Sequence, residues 1–115
     1  MLSACYSRAM QTRKTSFVTF LTHDVRRRHE HFRSGKGIVA FSVQIEVLIG
    51  YHWKPVVRYD TAHGFAHRDI ISPSGRVDKT PLFLQNFNEA LDFSEADLRS
   101  NWENYVERFL KEAEP

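Results

Sequence analysis

Between Arg58 and Asp69 the chain reads Arg58-Tyr59-Asp60-Thr61-Ala62-His63-Gly64-Phe65-Ala66-His67-Arg68-Asp69, with two arginines, two aspartates and two histidines around one glycine. Imidazoles titrate near neutral pH, so His63 and His67 suit the removal of a proton from an RNA 2′-hydroxyl and the protonation of a leaving oxygen. Arg58 or Arg68, with Lys79, would stabilise the charge that develops on phosphorus, and Asp60 and Asp69 would orient the rings. In an extended strand His63 and His67 stand ~13 Å apart, whereas His67 and Asp69 share a face at ~6.6 Å. The second pair is therefore the natural carboxylate–imidazole couple, and the first needs a bend at Gly64.

Two other readings fit the same residues. Asp60, His63, His67 and Asp69 offer mixed nitrogen and oxygen donors for a divalent metal, though not at a spacing with known mechanics. Alternatively the cluster is a polar turn, in which Asp60 caps the connection, Gly64 takes a positive φ and the imidazoles bond backbone carbonyls. Upstream, Arg26, Arg27 and Arg28 could hold backbone phosphates without reading sequence, with Arg68 beside them. His29 and His31 read as solvated neighbours in that basic run.

The elements that would position these groups follow from hydrophobic period. Residues 38 to 49 alternate, with Phe41, Val43, Ile45 and Val47 on one side and Ser42, Gln44 and Glu46 on the other, which predicts a half-buried strand. Residues 52 to 60 form a second strand and make an antiparallel hairpin with it. Pro55 lacks a ladder donor and demands a sheet edge or a bulge. A weaker alternation predicts a strand at 15 to 22, and residues 65 to 71 a strand before the Ser72-Pro73-Ser74-Gly75 turn. Residues 23 to 37 read as a solvated basic connection. From Phe87 the period becomes helical: Phe87, Leu91, Ser94, Leu98, Trp102, Tyr105 and Phe109 make one stripe, so a helix spans about 87 to 112. Ser94 followed by Asp97 could instead cap a second helix, but the stripe keeps phase across it.

The expected fold is α+β: an antiparallel meander of three to four strands covered by a long C-terminal amphipathic helix. The chain has 115 residues, 42% of them hydrophobic, which is enough for one core. We assign residues 1–14 to a disordered N-terminal tail and 15–115 to a single domain. No stretch approaches the ~20 apolar residues of a membrane helix. Cys5 is the only cysteine, which excludes an internal disulfide and a thiol metal cluster and fits a cytoplasmic setting. The net charge is only +2, but the first third is basic and the last thirty residues are acidic, a polarity suited to a polyanion on one side.

The Val57-Arg58-Tyr59-Asp60 strand end, the Ala62-His63-Gly64-Phe65-Ala66-His67-Arg68-Asp69 block, the Pro73-Ser74-Gly75 turn, Lys79-Thr80-Pro81 and the Ala90-Leu91 to Asn101-Trp102 helix together resemble a family of small prokaryotic proteins with an RYDxAHGxxHxD signature. The resemblance covers about residues 38 to 112 and brings no activity with it. More distantly, a strand ending in an aromatic-Asp pair before a His-rich turn looks like the TumE-type toxins, although the chain lacks a His-His-x-His stretch. The toxin resemblance implies a ribonuclease. The functional expectation is thus a toxin-like ribonuclease built on His63, His67, Asp69, Arg58 and Asp60. Its rival is a non-catalytic module of a toxin–antitoxin pair, or a homo-oligomer, joined through the acidic helix or the sheet edge near Pro55. No cofactor is expected apart from the alternative divalent metal.

Overall fold

In the computed structural model, which describes residues 11–114, six strands run in sequence order across one antiparallel sheet: β1 (Arg13–Thr22), β2 (Val25–Ser34), β3 (Gly37–Ile49), β4 (His52–Asp60), β5 (His67–Ile71) and β6 (Val77–Pro81). One helix, α1 (Phe87–Ala113), follows and lies mainly over β3 and β4. The expectation of an α+β meander under a C-terminal helix holds, with more strands than the sequence suggested.

Two strands account for the difference. The stretch expected to be a solvated connection, 23 to 37, is largely β2, and β6 lies beyond the Ser72–Gly75 turn. β2 reads Val-Arg-Arg-Arg-His-Glu-His-Phe-Arg-Ser, and the residues of both faces are mostly polar, so it shows no binary pattern. β6 is exposed along its whole length. Both are strands because a neighbour's backbone pairs with them, which overrides weak propensity. The strand expected at 65 to 71 begins only at His67. The expected tail falls outside the described residues up to Met10, Cys5 included, while Arg13 and Lys14 already belong to β1.

Register decides which side chains share a face. Thr19, Arg27, Ile45, Val57, Ile70 and Asp78 stand directly opposite one another across all six strands, as do Phe17, His29, Val43, Tyr59, Arg68 and Thr80. These rows lie on the helix side, where Val43, Ile45, Val57 and Tyr59 are fully buried against Leu98, Val106 and Phe109. Burying each such aliphatic side chain contributes about 1.5–3 kcal/mol. Ser94 belongs to the helix stripe because it is small: its hydroxyl donates to the Ala90 carbonyl at 2.7 Å, so it is buried without an orphaned polar atom. The helix therefore runs unbroken through Ser94. Asn86 caps its start by accepting from the Glu89 backbone N–H at 2.8 Å.

β3 and β4 join through Gly50 and Tyr51, with Gly50 at φ +63, the left-handed value that a two-residue hairpin asks of its first turn residue. Pro55 is accommodated twice over. A bulge opposite Ile45 and Glu46 makes Val56 the extra residue, and β5 pairs β4 only from Val57 onward, which leaves Pro55 on a locally free edge. Arg108 reaches back from the helix to the Val56 and Ile71 carbonyls at 3.4 and 3.0 Å, closing the gap beyond the end of β5.

Candidate functional site

The face opposite the helix carries the chemistry. Two further rows cross the sheet there: Ser42, Asp60, His67 and Pro81 on β3 to β6, and Arg28, Gln44, Arg58, Asp69 and Lys79 on β2 to β6. Because β4 ends at Asp60 and β5 starts at His67, these two residues are direct cross-strand partners. Asp69 lies two residues along β5 on the same face, opposite Lys79. Three adjacent strands thus bring two carboxylates, an imidazole and an ammonium together.

His67 is 1% exposed, and both its nitrogens are engaged. Nε2 lies 2.7 Å from Asp60 Oδ1, and Nδ1 lies 3.1 Å from Asp69 Oδ1. Lys79 Nζ stands 3.2 Å from Nδ1 and 3.0 Å from Asp69 Oδ1. A neutral imidazole donates from one nitrogen only. With the proton on Nε2, His67 donates to Asp60, while Nδ1 and Asp69 both accept from the ammonium. Nδ1 and Asp69 Oδ1, 3.1 Å apart, are then two acceptors bridged by the one ammonium, and Lys79, His67 and Asp60 form a continuous chain of hydrogen bonds. Its ends reach water: the Lys79 side chain is 42% exposed and that of Asp60 16%. Phe65 packs its ring 5.2 Å from that of His67.

His63 is elsewhere. It sits exposed at φ 69 in the short 3-10 turn Ala62–Gly64, and the Gly64 bend does not fold it back toward His67. The turn has its own fastening: Asp60 Oδ1 accepts from the Ala62 N–H at 3.1 Å, and the Gly64 N–H donates to the Thr61 carbonyl at 3.1 Å. Asp60 capping and a positive φ at Gly64, both expected of a polar turn, are present. The His67 nitrogens, however, meet carboxylates and an ammonium, with no backbone carbonyl among these partners.

The arginines divide between the faces. Arg58 donates from Nε to Gln44 Oε1 at 2.7 Å on the site face. Arg26 and Arg28, on the same face, both bind Glu46 through Nε, at 2.5 and 3.1 Å. Burial alone would raise the Glu46 carboxyl, but the bonds from Arg26, Gln44 and Arg28 outweigh it and hold it below its ordinary value. Arg26 also covers the Trp53 ring at 4.1 Å. Arg27 and Arg68 project to the helix side, away from His67.

There Arg68 joins a network that the helical stripe hid. Tyr59 and Tyr105 both donate their hydroxyls to Asp97 Oδ2, at 2.7 and 2.5 Å, Asn101 donates to Oδ1 at 2.8 Å, and Arg68 reaches the Tyr105 hydroxyl at 3.4 Å. Burial works against the Asp97 carboxylate, yet Tyr105, Tyr59, Asn101 and the Arg68 charge keep its carboxyl below the usual range. Burial first, and the bond to Asp97 second, push the Tyr59 phenol far above its ordinary value. The spacing Asp97, Asn101, Tyr105, one helical turn apart each time, was the available sign of this polar ladder.

Asp60, His67 and Asp69 can each offer one ligand atom to a common point, these atoms lying within 4.8 Å of one another. Among the described residues no helix is long and apolar enough to cross a membrane. Residues 10–115 match the family described as Domain of unknown function (DUF7718), and the chain belongs to that family. No curated protein and no solved structure matches it.

Proposed function

We propose that the protein is an RNA-directed phosphodiesterase whose acid–base centre is the Lys79–His67–Asp60 chain. The observation that carries this reading is a buried imidazole linking two charged groups that both reach solvent on one sheet face. Asp60 takes the proton of a 2′-hydroxyl as its oxygen attacks phosphorus. The Lys79 ammonium stabilises the phosphorane oxygens and gives a proton to the departing 5′-oxygen. Asp60 then releases its proton to water and Lys79 takes one from water, which restores both groups, while the Nε2–H of His67 holds the Asp60 carboxylate in place. In this reading His67 acts through its neighbours, and the substrate-facing groups are Asp60 and Lys79. Arg58 and Arg28, alternating with Gln44 along the row that ends at Lys79, would receive the flanking phosphates. That face is not strongly cationic, since Glu46, Asp60 and Asp69 stand among its arginines, which favours a short contact over a long electrostatic track.

The test is cleavage of a single-stranded RNA by the purified protein. Asp60→Asn and Lys79→Met should each slow it by roughly 10²–10⁴, the usual contribution of a positioned acid or base, and His63→Ala should leave it unchanged. Cleavage that persists undiminished in Asp60→Asn overturns the assignment.

The convergence of ligand atoms favours one second reading, in which Asp60, His67 and Asp69 hold a divalent cation after Lys79 swings outward. Calorimetric titration with Mn²⁺ separates the two: stoichiometric binding abolished by Asp69→Asn supports the metal, and cleavage undiminished in a chelator supports the proton chain.

A further inference from the structure

On the helix side, the row Thr19, Arg27 and Ile45 runs across β1, β2 and β3 and forms the floor of a crevice of about 210 Å³ roofed by Leu98, Arg99 and Trp102, with Leu21 at its side. Two features set it apart from an ordinary packing defect. Its walls are apolar and aromatic, yet Arg27 and Arg99 bring two cations into it from opposite sides, one from the sheet and one from the helix. Among the described residues neither has a carboxylate partner, and the Arg27 Nε is buried with no hydrogen-bond acceptor. The Arg27 guanidinium lies over the Phe17 ring, 6.0 Å from its centroid, and its charge acts on the nearby His29. The Nε atoms of Arg68 and Arg108 are also unfilled, but those guanidiniums bond Tyr105 and the Ile71 carbonyl through their other nitrogens, whereas the Arg27 guanidinium beside the crevice has no acceptor among the described residues.

We infer that this crevice binds a small organic anion, with a carboxylate or phosphate clamped between Arg27 and Arg99 and a flat apolar body against Trp102, Leu98 and Ile45. The volume is below the ~300–1,000 Å³ that hold drug-sized ligands, so a one- or two-ring body fits and a nucleotide chain does not. Planar forks on both sides match a carboxylate or phosphate better than ammonium groups would. The crevice lies on the face opposite Asp60, His67 and Lys79, so the inference does not depend on the RNA reading.

The experiment is titration of the full chain with 2-naphthoate, followed by calorimetry and tryptophan fluorescence, beside the uncharged 2-naphthalenemethanol. Naphthoate should bind with one site per chain and quench the emission, and the alcohol should bind at least about tenfold more weakly, as expected for losing a charged hydrogen bond. Arg99→Gln, at an exposed helix position that leaves the fold alone, should weaken naphthoate by a similar factor and leave the alcohol unchanged. Arg27→Gln should do the same, and circular dichroism shows whether that variant folds. Equal affinity for acid and alcohol, or naphthoate binding untouched by Arg99→Gln, overturns the inference.

Discussion

Replacing Tyr59 by phenylalanine removes one hydroxyl and nothing else from the core. The ring is 0% exposed and packs edge-on against Phe93 at 6.2 Å, contacts that phenylalanine keeps. What disappears is a 2.7 Å bond to an ionised carboxylate. Hydrogen bonds to charged groups contribute about 1.5–3 kcal/mol. Asp97 retains Tyr105 and Asn101, so the loss should fall near the lower end, about 1.5 kcal/mol, which lowers Tm by roughly 6 °C in a domain of this size. The pH dependence supplies the stricter test. Asp97 has its carboxyl depressed in the folded state, so its contribution is complete above the ordinary carboxylate pKa and is lost as pH falls through the lowered one. The stability gap between wild type and Tyr59→Phe, measured by urea unfolding, should be full near pH 7 and shrink as pH falls below the ordinary carboxylate value of 3.8. A gap below ~0.5 kcal/mol near neutrality, within the range of surface substitutions, or one that stays constant with pH, would refute the idea that an ionised Asp97 organises this interface.

Two more outcomes follow from the same reasoning. His29 is buried and stacked on Phe17 at 4.5 Å, and burial, with His31 and Arg27 nearby, lowers its pKa to about 4. The unfolded chain therefore binds a proton that the folded chain refuses between about pH 6.5 and 4, and stability falls as pH drops through that window. In His29→Phe the slope of unfolding free energy over that window should flatten, and an unchanged slope would assign the acid sensitivity to another group. Arg108→Ala should cost about 1 kcal/mol in urea unfolding by stripping the donor from the Ile71 carbonyl, while Arg108→Lys should recover part of it; no loss in the alanine variant would show that water replaces the guanidinium freely.

Period made some of this legible in the sequence and not the rest. β3 alternates because one face meets the helix, and the helix stripe from Phe87 to Phe109 is its complement, so both could be read from one-dimensional pattern. β2 could not, because Arg27, His29 and His31 occupy its helix-side positions where aliphatic residues would have revealed it. β6 has no buried residue to announce it. The same limits govern the site. His67 and Asp69 share a face by the two-residue period alone, and the structure puts them 3.1 Å apart. Lys79 is legible in the sequence only as a nearby cation, because its place opposite Asp69 depends on a strand that has no pattern. His63 could join His67 only through a bend at Gly64, and it sits instead exposed in the left-handed turn. Asp97 lies beside the apolar stripe, where after Ser94 it reads as part of a possible helix cap, although it is the acceptor that Tyr59 and Tyr105 require.

The strand order carries a consequence for how the chain acquires its shape. Since every strand pairs with its immediate predecessor and successor, the sheet can zip hairpin by hairpin as it leaves the ribosome, with short loops and little closure entropy. The cover arrives last. From the emergence of β3 until Phe87–Ala113 has been synthesised, Val43, Ile45, Val57 and Tyr59 face water on a nearly finished sheet. The nascent protein is therefore most prone to aggregate just before the helix is made, and a stall or truncation ahead of residue 87 should yield a sticky sheet instead of a smaller soluble domain.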